Sequence, residues 1–502
     1  MIGFTGPVSE LLKHIQSALP AGVQVYLVGG AVRDALLGRA SHDLDFVLAG
    51  EVLGIARRIA NALGAAYFPL DEERRTARLV LIQADGSRFK LDFAAMRSSD
   101  LDSDLRARDF TINAIALPLA TLEALVDPCG GATDLYARVL RTCSPGSFLD
   151  DPVRVIRAVR LATALNCKIL PETSQQLRQA VPYLEQVSPE RVRDELFRIL
   201  DGPQPATGIR LLDILGALAL ILPELPSLKG VSQPPPHISK VWEHTLEVLQ
   251  RLDQVLDVLA LQYDQEHAAS WALGFISVQL GRYRKQLHEH LHTSLNPERN
   301  LRGLLFLAAL YHDAGKPITR QVDETGRIRF FEHEQVSAEQ AAQRGRLLRL
   351  SNTEIERLTV IVRNHMRPLL LAQSGAPPTR RAIYRYFKAC GAAGIDVGLL
   401  SLADCLAAFG STLPHETWAR HLLVVRTLFE AWWENPEQAV SPPSLLNGYD
   451  LMRNFDLQPG PVVGQLLEAI QEAQAAGQIN SREQALKLAF KQLEASQSDE
   501  HG

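Results

Sequence analysis

A glycine pair most tightly limits what this chain can fold into. Gly29-Gly30 follows an apolar, β-branched run, Val23 to Val28, and precedes the apolar segment Val32 to Leu37. The run suits a buried strand, and the segment after the glycines opens a helix. Two glycines between them let the backbone turn sharply and approach a ligand closely. The N–H groups of the helix's first turn then face a phosphate. A second strand comes next, in Asp43-Leu-Asp45-Phe-Val47. Side chains alternate along a strand, so Asp43 and Asp45 share one face. Two adjacent carboxylates repel each other and favour a divalent cation between them; such hard ligands suit Mg²⁺ shared with substrate phosphates. A glycine turn beside paired carboxylates is the equipment of metal-assisted nucleotidyl or phosphoryl transfer.

The stretch Leu27-Val-Gly-Gly-Ala-Val-Arg-Asp-Ala-Leu-Leu-Gly-Arg39, with Asp43 to Val47, resembles the first motif of bacterial tRNA nucleotidyltransferases and their poly(A) polymerase relatives. These form the class II branch of the polymerase-β-like nucleotidyltransferases. The resemblance implies an α+β protein: a polymerase-β-like head followed by all-helical neck, HD and tail domains. It implies that Asp43 and Asp45 hold Mg²⁺ and activate the tRNA 3′-hydroxyl, while Gly29, Gly30 and Arg33 serve the triphosphate.

Length and charge fit this organisation. At 502 residues the chain exceeds what one core supports. The expected division is 1–126 head, 127–230 helical neck, 231–410 HD domain and 411–502 helical tail in contact with tRNA. A formal net charge of −5 announces no nucleic-acid partner, so any basic surface is local. The five cysteines form no CxxC pair, which argues against a zinc ribbon and fits a reducing cytoplasm. The N-terminus does not read as a signal peptide. No apolar run approaches a membrane span, the longest being Gly303 to Tyr311.

Further motifs stand later in the chain. Arg78 to Ile82 and Arg88 to Phe93 read as a hairpin around Asp85-Gly86, placing Asp92 near the metals. Arg106-Ala-Arg-Asp-Phe-Thr-Ile-Asn-Ala114 resembles the family's second motif, with Ala107 where the first of two arginines is usual. The resemblance puts Arg108 on the triphosphate and Asp109 on the ribose; a guanidinium can fork onto phosphate. Asp127 to Gly131 reads as a turn and resembles the hinge between head and neck. In Asp150-Asp-Pro-Val-Arg154, Pro152 suits a helix's first turn. Asp151, Arg154, Arg157 and Arg160 recur every three residues as one polar stripe, beside an apolar stripe of Val153, Ile156 and Val159. The position resembles the family's E-D-x-x-R motif, with Asp150 in place of Glu. It implies that Asp151 and Arg154 read the incoming base, Arg157 and Arg160 backing them or touching phosphate. In that role an Asp acceptor and an Arg donor match cytosine or adenine and leave groups unpaired against G or U. Ser188-Pro189 starts another helix, read as structural.

Beyond the linker Pro234-Pro-Pro236, His244, His312, Asp313 and Asp404 match the HD phosphohydrolase pattern, with His333 and His365 where fuller metal shells place further histidines. Imidazole with carboxylate suits a second divalent transition metal. Arg380 to Lys388 is a basic, aromatic-laced helix that reads as a solvated face or as a tRNA-phosphate contact. The helical tail ends with residues 494–502 frayed.

The expected function is template-independent addition of nucleotides to the tRNA 3′ end from CTP, with or without ATP. Rival readings are a poly(A) polymerase and an HD phosphohydrolase with a vestigial head. Only Ser98 to Ser103 separate Arg97 from Asp104, too few for a mobile loop that re-aims the pocket from cytosine to adenine. In relatives that add all three nucleotides a longer loop fills this interval, and relatives that stop after two cytidines have the short form. The resemblance therefore implies a CC-adding enzyme that leaves the final A to a partner enzyme. The alternative is a lever in Ala66 to Thr76 and full CCA addition.

Overall fold

The structure, a computed structural model, describes residues 4, 6–83, 86–122, 124–263, 270–296 and 299–499, side chains of 496–499 excepted. The chain divides into two compact units: residues up to Glu195 with Leu211–Leu220, and Leu196–Arg210 with Ile221 onward. The dividing line differs from the expected boundaries. The Arg154–Leu165 helix groups with the head, and the tail groups with the HD region.

The first unit is built on six strands: β1 Val25–Val28, β2 Asp43–Leu48, β3 Ala66–Asp71, β4 Thr76–Ile82, β5 Arg88–Ala95 and β6 Ala116–Pro118. Their order is β3-β4-β5-β2-β1-β6, antiparallel except for the parallel pair β2–β5. On β2 the alternation sends Leu44 and Phe46 inward against the helices Pro7–Ala18 and Val52–Leu63, with Phe46 stacked on Phe93 at 4.7 Å. Asp43 and Asp45 take the opposite face. Val47 shares that face and packs with Val28, Leu105, Ala114 and Ala116.

Several expected boundaries move. β1 starts at Val25, and the helix after it spans Gly30–Leu36, directly from the turn. The hairpin of β4 and β5 is present, but Asp85 lies outside the described residues. The Ala66–Thr76 interval contains β3, an exposed edge strand that tolerates Pro69. Pro152 does not occupy a helix's first turn: Asp151 is extended, Val153 caps, and the helix begins at Arg154. Asp151 therefore precedes the helix carrying the three arginines. Val153, Ile156 and Val159 are buried, as their stripe requires.

The Asp127 turn is firmly tied. Asp127 accepts N–H bonds from Gly131 at 2.7 Å and Ala132 at 2.9 Å. Gly131 packs so closely on Thr111 that an added Cβ would lie 1.9 Å from its carbonyl oxygen.

The second unit is helical. Its core helices include Val241–Val258, Leu301–Tyr311, His333–Leu347, Asn352–Asn364 and Ala393–Phe409. One sequence expectation is corrected here: Ala393–Thr412 is long and apolar enough to cross a membrane. It is instead an interior helix, 83% buried over its most apolar window, and Asp396 and Asp404 interrupt its apolar run. The basic helix Arg380–Cys390 is neither free nor fully solvated. Arg385 pairs with Glu472 at 2.7 Å, and Arg381 with Glu472 and Lys388 with Glu468 add further ion pairs. The tail helices Gly448–Phe455, Pro461–Ala475 and Arg482–Asp499 bury their own apolar cluster around Leu451, Leu466 and Ile470. The last helix continues to Asp499, past the expected start of fraying.

Candidate functional site

In the first unit the strand register assembles the chemistry. Asp45 pairs across to Val28 on β1 and to Asp92 on β5, and Asp92 pairs across to Arg78 on β4. Asp45, Asp92 and Arg78 thus form a row on one face. Arg78 holds Asp92 through two bonds of 2.8 Å. The glycine turn adjoins this row. A Cβ on Gly29 would sit 3.4 Å from Nη1 of Arg108 and 3.6 Å from Oδ2 of Asp45, at a φ of 71° that side chains disfavour.

Asp43 and Asp45 both reach solvent, yet Asp45 sits in a recess of protein. That surrounding protein displaces water, and the charges of Asp92 and Asp43 add repulsion. Its carboxyl is pushed up to about 6, against the opposing pull of Arg108 and Arg78. A crowded set of carboxylates that resist sharing negative charge fits a divalent cation.

Arg33 folds over Gly30, donates to Asn113 Oδ1 at 2.8 Å and pairs with Asp34. Asn113 in turn donates to Asp109 at 3.1 Å. Asp109 is buried and also receives Arg157 at 3.3 Å. Burial pushes its carboxyl up, but Arg157, Asn113 and the Phe110 N–H outweigh it and hold Asp109 below the usual carboxylate range. Asp109 thus joins the second motif to the arginine helix. Arg108 rests 3.4 Å from Asp104, its Nε buried without a partner.

The arginine stripe is not uniform. Arg154 is buried and donates from Nη1 to Ser147, at 2.7 Å to Oγ and 3.0 Å to the carbonyl. Arg157 and Arg160 both reach Glu195, at 3.2 and 2.7 Å. Asp151 pairs with Arg191 at 2.7 Å, while Asp150 is exposed. Glu195 and Arg191 lie on the Pro189–Leu200 helix, which therefore orients the stripe as well as supporting the fold.

The second unit gathers His244, His312, Asp313, Asp404, His333 and His365. His244 Nε2 lies 3.0 Å from Asp404 and 3.8 Å from Asp313. His312 and His333 approach Asp313 with Nε2 at 3.2 and 3.3 Å. The Nδ1 atoms of His312, His333 and His365 face the carbonyls of Ala309, Phe330 and Val362 at 2.8, 2.9 and 2.7 Å. A carbonyl only accepts, so Nδ1 carries the proton and Nε2 offers a lone pair. All three Nε2 atoms are buried without a hydrogen-bond partner among the described residues, and Asp313 Oδ2 faces the buried Lys316 ammonium at 2.7 Å. Imidazole nitrogens and carboxylates gathered in one buried cluster are a donor set that fits a transition metal. Burial pushes His365 down to about 3, keeping it neutral as a ligand must be. At His312, by contrast, burial is outweighed by the carboxylates of Asp313 and Asp404, which hold the imidazole above its ordinary range. His237 joins His244 and Asp404, their ligand atoms within 4.8 Å of one another.

Sequence reasoning missed Arg78, Asn113, Glu195 and His237 as site residues. Glu195 sits in a helix read as structural, and His237 directly follows the proline run; neither carries a local signal.

Paired carboxylates on a central strand, a glycine turn and flanking arginines define a nucleotidyltransferase head, here with a histidine–aspartate cluster that could hold a metal in a second unit. Residues 25–141 match the Poly A polymerase head domain, 166–228 the RNA and SrmB-binding site of polymerase A, 241–408 the HD domain and 441–489 the tRNA nucleotidyltransferase domain 2. The chain is 35% identical to the A-adding tRNA nucleotidyltransferase of Deinococcus radiodurans, over 91% of this chain and 93% of that one. It is 33% identical to the CC-adding tRNA nucleotidyltransferase of Thermus thermophilus, over 94% and 95%. A CCA-adding enzyme in its apo form shares the fold, with a TM-score of 0.60 at 20% identity over 97% of this chain and 95% of that one. The chain belongs to the class II tRNA nucleotidyltransferases with a fused HD domain and is an enzyme of that kind. Divalent metal use comes with the family.

Proposed function

We propose that this enzyme adds two cytidines to the 3′ end of tRNA, from CTP and without a nucleic-acid template, and leaves the terminal adenosine to a separate enzyme. The observation that supports the C-C product is the segment after Arg97. The Arg97 N–H donates to Asp104 at 2.8 Å, Asp100 caps the helix Leu101–Arg106 through the Ser103 N–H at 2.8 Å, and Arg106 pairs with Asp102 at 2.7 Å. A short, capped and cross-tied segment is a poor lever for re-aiming a pocket from cytosine to adenine.

Asp43 and Asp45, with Asp92 beside them, would hold Mg²⁺, which supplies charge neutralisation at the reacting phosphate and lowers the pKa of the attacking hydroxyl. The Gly29-Gly30 turn, Arg33 and Arg108 hold the triphosphate. The 3′-hydroxyl oxygen attacks the α-phosphorus and loses its proton. The bond to the β-phosphate breaks, and pyrophosphate leaves. Asp151 and Arg154 read the base, Ser147 fixing the guanidinium. Arg157 and Arg160, held by Glu195, set the helix. The HD centre, through His244, His312, Asp313 and Asp404 with His333 and His365, would hold a transition metal and hydrolyse a phosphoester. The reaction runs in the cytoplasm.

The test supplies tRNA lacking its 3′ end with each labelled NTP and sizes the product. Addition of two C residues and no A supports the reading. Efficient addition of one A to tRNA ending in C-C, from ATP alone, refutes it; a long A tract would instead indicate a poly(A) polymerase.

A further inference from the structure

A cavity of about 620 Å³ in the second unit adjoins the segments that carry two of the HD histidines. Its wall includes Glu334, which follows His333, and Asn364 and Met366, which flank His365. That volume suits a nucleotide-sized ligand. Its charge is one-sided: Arg363, Arg367, Arg381 and Arg385 all line it. Arg381 and Arg385 are steadied by Glu472. Arg363 and Arg367 are exposed and have no ion-pair partner among the described residues. Glu334 is the acidic group of the lining, its carboxylate 3.5 Å from His333 Nδ1. Counting Glu472, four positive charges face two negative ones.

We infer that this cavity is a subsite for the phosphodiester next to the bond cleaved at the HD centre, so that the centre acts on oligonucleotides in preference to small phosphomonoesters. The inference rests on the reading of that centre as a phosphoesterase. A terminal phosphate occupies the histidine–aspartate cluster. The next phosphate along the strand is gripped by Arg363 and Arg367, as guanidinium forks grip phosphate oxygens. Water then adds to the terminal phosphorus, the P–O bond to ribose breaks, and the ribose oxygen takes a proton. The products are inorganic phosphate and a free hydroxyl.

The test uses the full-length, metal-loaded protein with p-nitrophenyl phosphate and with trinucleotides phosphorylated at the 5′ or the 3′ end. A trinucleotide should exceed p-nitrophenyl phosphate in kcat/KM by tenfold or more at low salt, and the advantage should shrink as salt rises. In R363A/R367A that advantage should fall at least tenfold, with metal content and p-nitrophenyl phosphate turnover unchanged. R363K/R367K should recover part of it. Equal loss on both substrates, or no trinucleotide advantage in the wild type, overturns the subsite alone. Hydrolysis of neither substrate by the wild type overturns the phosphoesterase reading, and the subsite with it.

Discussion

Asp45 concentrates the electrostatics of the head. Replacing Asp43 or Asp45 by Ala should abolish nucleotide transfer with the fold retained, because each removes a carboxylate that no neighbour replaces. Transfer within about tenfold of wild type in either variant would show that the metal lies elsewhere. The raised carboxyl of Asp45 also sets a pH window. Its folded-state pKa stands near 6 against an ordinary 3.8, so the metal-free folded state holds the proton more tightly than the unfolded chain. This group therefore costs stability progressively as pH rises from 3.8 through about 6. A cation competes with that proton, so the Mg²⁺ concentration giving half-maximal transfer should rise as pH falls below about 6, by up to about tenfold per unit. In D45N the metal-free protein's melting temperature should lose that pH dependence. Glu195 makes a second case at this scale. Breaking a buried ion pair by deleting one partner costs about 3–5 kcal/mol. Arg157 and Arg160 remain 31% and 25% exposed, so E195A should cost less, roughly 2–3 kcal/mol, measured by urea unfolding. It should also loosen discrimination of CTP over UTP, since the reading helix loses its anchor. Unchanged discrimination would make Glu195 purely structural.

At the scale of elements, the Gly131 turn pins the second motif to the short helix Gly131–Tyr136. A Cβ there would sit 1.9 Å from the Thr111 carbonyl oxygen, backbone that cannot rotate away. G131A should therefore separate the two segments, at a cost of about 1–3 kcal/mol or more, and reduce transfer by displacing Arg108 and Asp109. Normal stability and activity would mean that the turn gives way freely. Such contacts between distant segments are what a sequence conceals, whereas local rules are open to reading. The paired aspartates were legible because strand alternation is a two-residue rule. The apolar stripe of the Arg154–Leu165 helix was legible because helical periodicity is equally local. The edge strand β3 was not, since its exposed residues carry no apolar alternation and Pro69 interrupts it. The interior helix Ala393–Phe409 escaped notice because Asp396 and Asp404 break its run. The Glu195 anchor was hidden because its partners Arg160 and Arg157 lie 35 and 38 residues away, and a lone glutamate in a helix resembles a solvated one. The HD histidines could be named from the sequence because His312, His333 and His365 each stand at a helix end with recognisable neighbours.

At the scale of the molecule, two candidate metal sites of different chemistry lie in separate compact units, with Asp43 and Asp45 in one and the histidine–aspartate cluster in the other. The carboxylate site offers hard oxygens, whereas the HD site offers imidazoles, and the Nε2 atoms of His312, His333 and His365 are buried without a hydrogen-bond partner among the described residues. Hard oxygens suit loosely held Mg²⁺ at the first, and imidazoles with carboxylates suit a more tightly held transition metal at the second. Stripping the protein with a chelator should therefore remove both activities. Returning Mg²⁺ alone should restore tRNA extension but leave phosphoester hydrolysis silent. Returning Mn²⁺, Ni²⁺ or Zn²⁺ should restore hydrolysis, with one of them strongly preferred. H312A should lose bound transition metal and hydrolysis while extending tRNA at wild-type rates, because His312 belongs to the unit that lacks the transfer carboxylates. Retained metal and hydrolysis in H312A would remove His312 from the cluster. Loss of tRNA extension in a folded H312A protein would mean that the two centres are coupled, and would locate in the HD cluster a structural role for the transfer reaction as well as a catalytic one.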